Sequence, residues 1–317
     1  MLTLIAALYM AQSADAAPDP AHAALIAEAR DLVAGHGEAV WPGFATAPDT
    51  LILIDGETEF LLCHEGEGEG FEALGREAVT GCDLRRRDRQ FPPTFLASFP
   101  AVDMTPSIVV GTPEATGRAP GNWMRTLIHE RFHQLQDSRP GAFQRAFDLD
   151  LHGGDQSGMW MLNYPFPYQD AAAGEAARAF AEAGLAALDA RGTPHFRDRA
   201  QAYFEARSAF LAAVSEADAR YYEFQAWKEG AARWTELAMM RAAAGQDAAY
   251  SGQQNAQEER LADSLEAVDL PRQGRVAFYA LGAADAEILD QLDASWRERY
   301  LDGPLALGPH FEAALKD

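Results

Sequence analysis

The sequence predicts an α+β fold, a small N-terminal sheet lobe followed by a mainly helical lobe. Three observations predict it. Short apolar runs separated by turn residues fill the region before residue 112, which is how strands and hairpins read. One run, Trp123 to Leu135, has the apolar spacing of a buried helix. From Asp170 onward Ala, Glu, Arg and Leu dominate, all strong helix formers.

Taken in order, residues 1–17 resemble a secretory signal. A short apolar core leads to Ala14-Asp15-Ala16 as a small-x-small cleavage site, and Pro18-Asp19-Pro20 breaks the chain after it; a basic start is missing. The expected location is therefore periplasmic or secreted, with residues 18–317 as a single domain. An amphipathic helix is expected over Ala21–Val33. Thr50 to Cys63 reads as a hairpin with Asp55-Gly56 at its turn. The four arginines between Cys82 and Arg89 read as a solvated face, and Pro106–Gly111 as a further strand. Cys63 and Cys82 are the only cysteines; in an exported protein they are expected to pair, closing a loop worth about 3 kcal/mol. The Gly- and aromatic-rich stretch 151–168 reads as an ordered loop. Beyond it, helices are expected over 170–191, 196–244, 254–267, 276–292 and 295–300.

The chemistry sits in the central helix. His129-Glu130-Arg131-Phe132-His133 is an H-E-x-x-H motif. Histidines four residues apart lie about 40° apart around a helix, so both imidazoles leave from one face. Two imidazoles on one turn supply two of the usual three protein ligands of a divalent metal. Glu130 points beside them, where it can take a proton from a water at the open position. Such a buried set needs a compensating partner, and a metal ion provides one.

A third ligand must come from elsewhere. A pattern continuing H-x-x-G-x-x-H would put glycine and histidine where the chain has Gln136 and Arg139, so that class is excluded. Beyond Asp137, the carboxylates that follow the motif most closely are Asp148, Asp150, Asp155 and Asp170. Trp227-Lys-Glu-Gly-Ala-Ala-Arg-Trp-Thr-Glu236, however, resembles the E-G-x-A-x-x-x-E segment of gluzincin zinc metallopeptidases, distantly those of the aminopeptidase-N-like branch. The resemblance covers these two short segments only. It implies that Glu229 is the third zinc ligand, that Glu236 supports a ligand histidine from behind, and that a downstream tyrosine stabilises the oxyanion. Tyr279 is the choice for that role, ahead of Tyr164, Tyr168 and Tyr222. Lys228 stands where the family often has asparagine, the link from His133 to Glu229 is far longer than in typical members, and no aminopeptidase-type G-x-M-E-N segment is present.

The implied function is a zinc-dependent peptidase acting on a peptide or protein substrate, with the two lobes flanking the metal cleft. The alternative is an inactive or non-peptidase metal-binding envelope protein, whose site a fourth ligand such as His152 or Asp155 would close. A serine hydrolase built on His152 and Ser157 is disfavoured because the stretch lacks a G-x-S-x-G elbow. The net charge of −22 excludes nucleic acid as a partner. No stretch beyond the leader is long and apolar enough for stable membrane insertion.

Overall fold

The computed structural model describes residues 17–316 and is α+β, a six-stranded mixed sheet in the N-terminal part followed by a mostly helical region. The proposed leader, residues 1–17, lies almost wholly outside the described residues. No described helix is long and apolar enough to cross a membrane. The chain divides into two compact units, one ending at Ser138 and one beginning at Arg139. Residues 36–42 group with the second, helical unit.

The first unit begins with α1 (Pro20–Val40), whose last turn already belongs to the second. Its sheet comprises β1 (Leu51–Asp55), β2 (Thr58–Leu62), β3 (Glu72–Arg76), β4 (Asp83–Asp88), β5 (Leu96–Val102) and β6 (Thr105–Gly111). The spatial order is β3-β4-β2-β1-β6-β5. The β1–β2 hairpin turns at Gly56, whose φ of 60° suits a residue without a Cβ. Strands β1 and β6 pair in parallel at the centre. Residues 51–54 of β1 and 107–111 of β6 are buried at every position, as in strands covered on both faces.

The arginine run is strand β4 and only partly a solvated face. Arg86 and Arg89 do make exposed pairs with Glu72 and Glu57. Arg87 instead turns inward, bonding the fully buried Glu59 at 2.7 Å and lying 4.2 Å above the Phe71 ring. Glu59 also accepts from the backbone N–H groups of Gln90 and Phe91, so this buried charge is compensated. The expected disulfide is present, joining Cys63 to Cys82 with Cα atoms 4.7 Å apart.

Helix α2 (Pro120–Asp137) starts with proline in its first turn, where no intrahelical donor is lost. It is fixed to the sheet at two points. The Trp123 indole N–H donates to the Gly111 carbonyl at 2.8 Å, and Gln134 Nε2 donates to the carbonyls of Thr50 and Pro106. All residues from Trp123 to Gln136 are buried.

The second unit contains α3 (Ala142–Phe147), α4 (Trp160–Asn163), α5 (Ala171–Asp189), α6 (Phe196–Ala212), α7 (Glu216–Gln225), α8 (Ala231–Ala244), α9 (Ser251–Glu266), α10 (Leu270–Gln273), α11 (Ala277–Leu292), α12 (Trp296–Tyr300) and α13 (Gly308–Lys316). The expected helix over 196–244 is divided. Ser215 and Asp218 form a capping box that starts α7. A π-helical turn, Ala226–Gly230, then joins α7 to α8. Trp41 belongs to this unit, set among Trp234, Trp296 and Tyr300 with its indole N–H on Thr235. Helix α11 is apolar nearly all round and buried, as a core helix must be.

Candidate metal centre

On α2, His129 and His133 are both buried. Their Nε2 atoms face each other at 3.2 Å. The Nδ1 of His133 lies 2.7 Å from Gln136 Oε1. An amide oxygen only accepts, so Nδ1 carries the proton and Nε2 of His133 presents its lone pair. Gln136 thereby selects the tautomer that a metal ligand needs. In a tetrahedral zinc shell with bonds of about 2.0–2.1 Å, two ligand nitrogens stand about 3.3 Å apart. The observed spacing fits that shell, and without an ion His129 can still donate to His133.

Glu229 lies in the π turn of the second unit, a type of irregularity often found at functional sites. Gly230 beside it serves contact with α11. A Cβ on Gly230 would fall 2.4 Å from Gly282 Cα, and one on Gly282 would fall 2.7 Å from Ala226 Cα. Only glycine at both positions lets the two backbones approach this closely. The crossing puts Arg275 and Tyr279 next to Glu229. Arg275 Nη1 is 3.4 Å from Glu229 Oε1 and donates to the Tyr279 hydroxyl at 3.0 Å. Tyr279 also hydrogen-bonds Glu229. Burial first, and the Glu229 charge second, push the Tyr279 phenol well above its ordinary pKa. For Arg275, burial works to lower the pKa, but Tyr279 and Glu229 outweigh it and raise it.

Among the described residues, one group of three or more His, Cys, Asp and Glu side chains could hold a metal ion. Ligand atoms of His129, His133 and Glu229 all lie within 4.8 Å of one another. His152 and Asp155, the candidates for a fourth ligand, stand outside this group. His152 Nδ1 accepts from Gly154 N, and its ring stacks on Phe147 at 3.7 Å. Ser157 gives its hydroxyl to Asp155 at 2.6 Å, an arrangement that caps a loop and activates no nucleophile.

The remaining sequence candidates are placed as follows. Glu130 is buried on α2 directly after His129. Glu236 is buried on α8, where it accepts from Arg260 at 3.2 Å. Tyr222 is committed to Asp285 and Tyr164 to Asp218, while Tyr168 bonds Tyr221. Sequence reasoning passed over Gln136, Gln225 and Arg275. Gln136 was discoverable, since a polar residue three positions after His133 shares its helix face. Arg275 was not, because its place depends on the Gly230–Gly282 crossing. Comparison with family models, curated proteins and solved structures finds no match for this chain.

Proposed function

We propose that the protein is a zinc-dependent peptidase whose ion is held by His129, His133 and Glu229. The observation that carries this reading is the facing pair of Nε2 atoms, 3.2 Å apart on a buried helix, with Gln136 fixing the tautomer. Two imidazoles and one carboxylate are a donor set that suits zinc and leaves one coordination position for substrate chemistry. When bound, the ion supplies Lewis acidity that polarises a carbonyl and acidifies water. Glu130 accepts the proton of the attacking water and delivers it to the leaving amine. Tyr279, whose hydroxyl bonds Glu229, is the phenol assigned to the oxyanion, turning from that carboxylate once the ion is bound. The Cys63–Cys82 disulfide supports action outside the cytosol, in the periplasm or after secretion.

Glu130→Gln tests the reading. It keeps size and helix propensity but removes the basic carboxylate. Zinc content and thermal unfolding should match the parent, while peptide turnover should drop by about 10²- to 10⁴-fold, the worth of a positioned acid–base group. Unchanged turnover would remove Glu130 from the chemistry.

A further inference from the structure

Arg275 occupies the single turn Gly274–Val276 ahead of α11, and it uses only one edge of its guanidinium. Nη1 makes all of its contacts, to the Tyr279 hydroxyl at 3.0 Å, Gln225 Oε1 at 3.3 Å and Glu229 Oε1 at 3.4 Å. Nε and Nη2 make no hydrogen bond with any described residue. The group is nonetheless held in place. Its carbon lies 5.4 Å from the Tyr279 ring centroid, and the side chain is 21 % exposed. Gln225 is itself fixed by donating to the Met161 carbonyl at 2.9 Å. A rigid guanidinium with a free N–H fork is matched by a carboxylate, which accepts two parallel charge-assisted bonds.

From this geometry we infer that Arg275 grips the C-terminal carboxylate of the substrate, which makes the enzyme a carboxypeptidase-type exopeptidase. The inference rests on the zinc-peptidase reading and assigns its substrate class. Nη1 is 3.4 Å from the carboxylate proposed as a metal ligand, and an extended residue spans at most about 3.3–3.6 Å. A carboxylate held on the free edge therefore belongs one or two residues beyond the reacting bond. Every peptide carries a terminal carboxylate at that distance from its last bonds. An acidic side chain offers the same chemistry only in particular sequences, so the two sources can be separated by experiment.

The test is a binding measurement on the Glu130→Gln chain with its zinc content recorded, so that the answer does not depend on turnover. The probes are N-acetyl-Gly-Phe as the free acid, its C-terminal amide, and N-acetyl-Gly-Asp amide, whose only carboxylate is on the side chain. The free acid should bind about 10- to 100-fold more tightly than either amide, the worth of charge-assisted hydrogen bonds. Adding Arg275→Gln should erase that ratio. A merely structural Arg275 would change zinc content or stability and leave the acid-to-amide ratio intact. Equal binding of acid and amide, including no binding of either, overturns the inference. So does a preference that survives Arg275→Gln, or N-acetyl-Gly-Asp amide matching the free acid. Loss of zinc or of turnover in the parent chain speaks against the peptidase reading instead, and is scored separately.

Discussion

Arg207 in the helical unit and His133 in the sheet unit are both buried polar side chains, but their surroundings are built in opposite ways. Arg207 directs Nε at both oxygens of Asp285 and its two terminal nitrogens at Glu223, each of the latter at 2.8 Å. Tyr203 and Tyr222 donate to Asp285, and the backbone N–H groups of Leu307 and Gly308 donate to Glu223. The carboxylates are met on every side. On α2 the protonated Nδ1 of His133 is satisfied by Gln136, and its Nε2 lone pair is directed at a second imidazole. A closed network of buried charges fixes how helices pack. A pair of ring nitrogens facing each other is arranged around a point between them, which is what a cation needs.

The contrast can be broken first at the closed network. Arg207→Met leaves the buried Asp285 and the half-buried Glu223 without their cation, and breaking a buried pair in this way costs about 3–5 kcal/mol. Urea unfolding should show that loss, while the zinc content of the folded fraction stays at the parent value. A loss below about 1 kcal/mol would place the network on the same footing as a surface pair. A smaller effect concerns pH. Burial, against the pull of Arg207, pushes the Asp285 carboxyl up to about 6 from an ordinary 3.8. The folded state therefore binds a proton more tightly than the unfolded chain does. This contribution is fully present below about pH 4 and is lost as the pH rises towards 6. Glu223, held below its ordinary value by Arg207 even though burial opposes the shift, has the opposite sign. The Asp285 part is isolated by subtracting the stability of Asp285→Asn across pH 4–7. A flat difference would mean that Asp285 stays ionised throughout.

The same two regions show what a sequence discloses. The hairpin, β6 and α2 were legible because their apolar residues follow the periods of strand and helix. Strand β4 was not, because Asp-Leu-Arg-Arg-Arg-Asp carries the charge of a solvated face, and only Glu59 across the sheet explains why Arg87 turns inward. The break before α7 was written in Ser215 and Asp218, a capping box inside an otherwise helical stretch. The π turn has no such mark, since one extra residue in a helical turn leaves composition unchanged. At the site, His129, Glu130 and His133 are fixed by local spacing. Glu229 needed a second motif distant in sequence, and Arg275 a backbone crossing that no local pattern encodes.

The central claim is that His129, His133 and Glu229 share one metal ion, and equilibrium zinc titration against a competing chelator tests it most directly. The parent chain should bind one zinc ion. His133→Ala and Glu229→Gln should each weaken binding by more than the roughly 10- to 100-fold that loss of a mere supporting partner costs. Parent-level affinity in Glu229→Gln would remove the third ligand, and parent-level affinity in His133→Ala would contradict the metal centre itself.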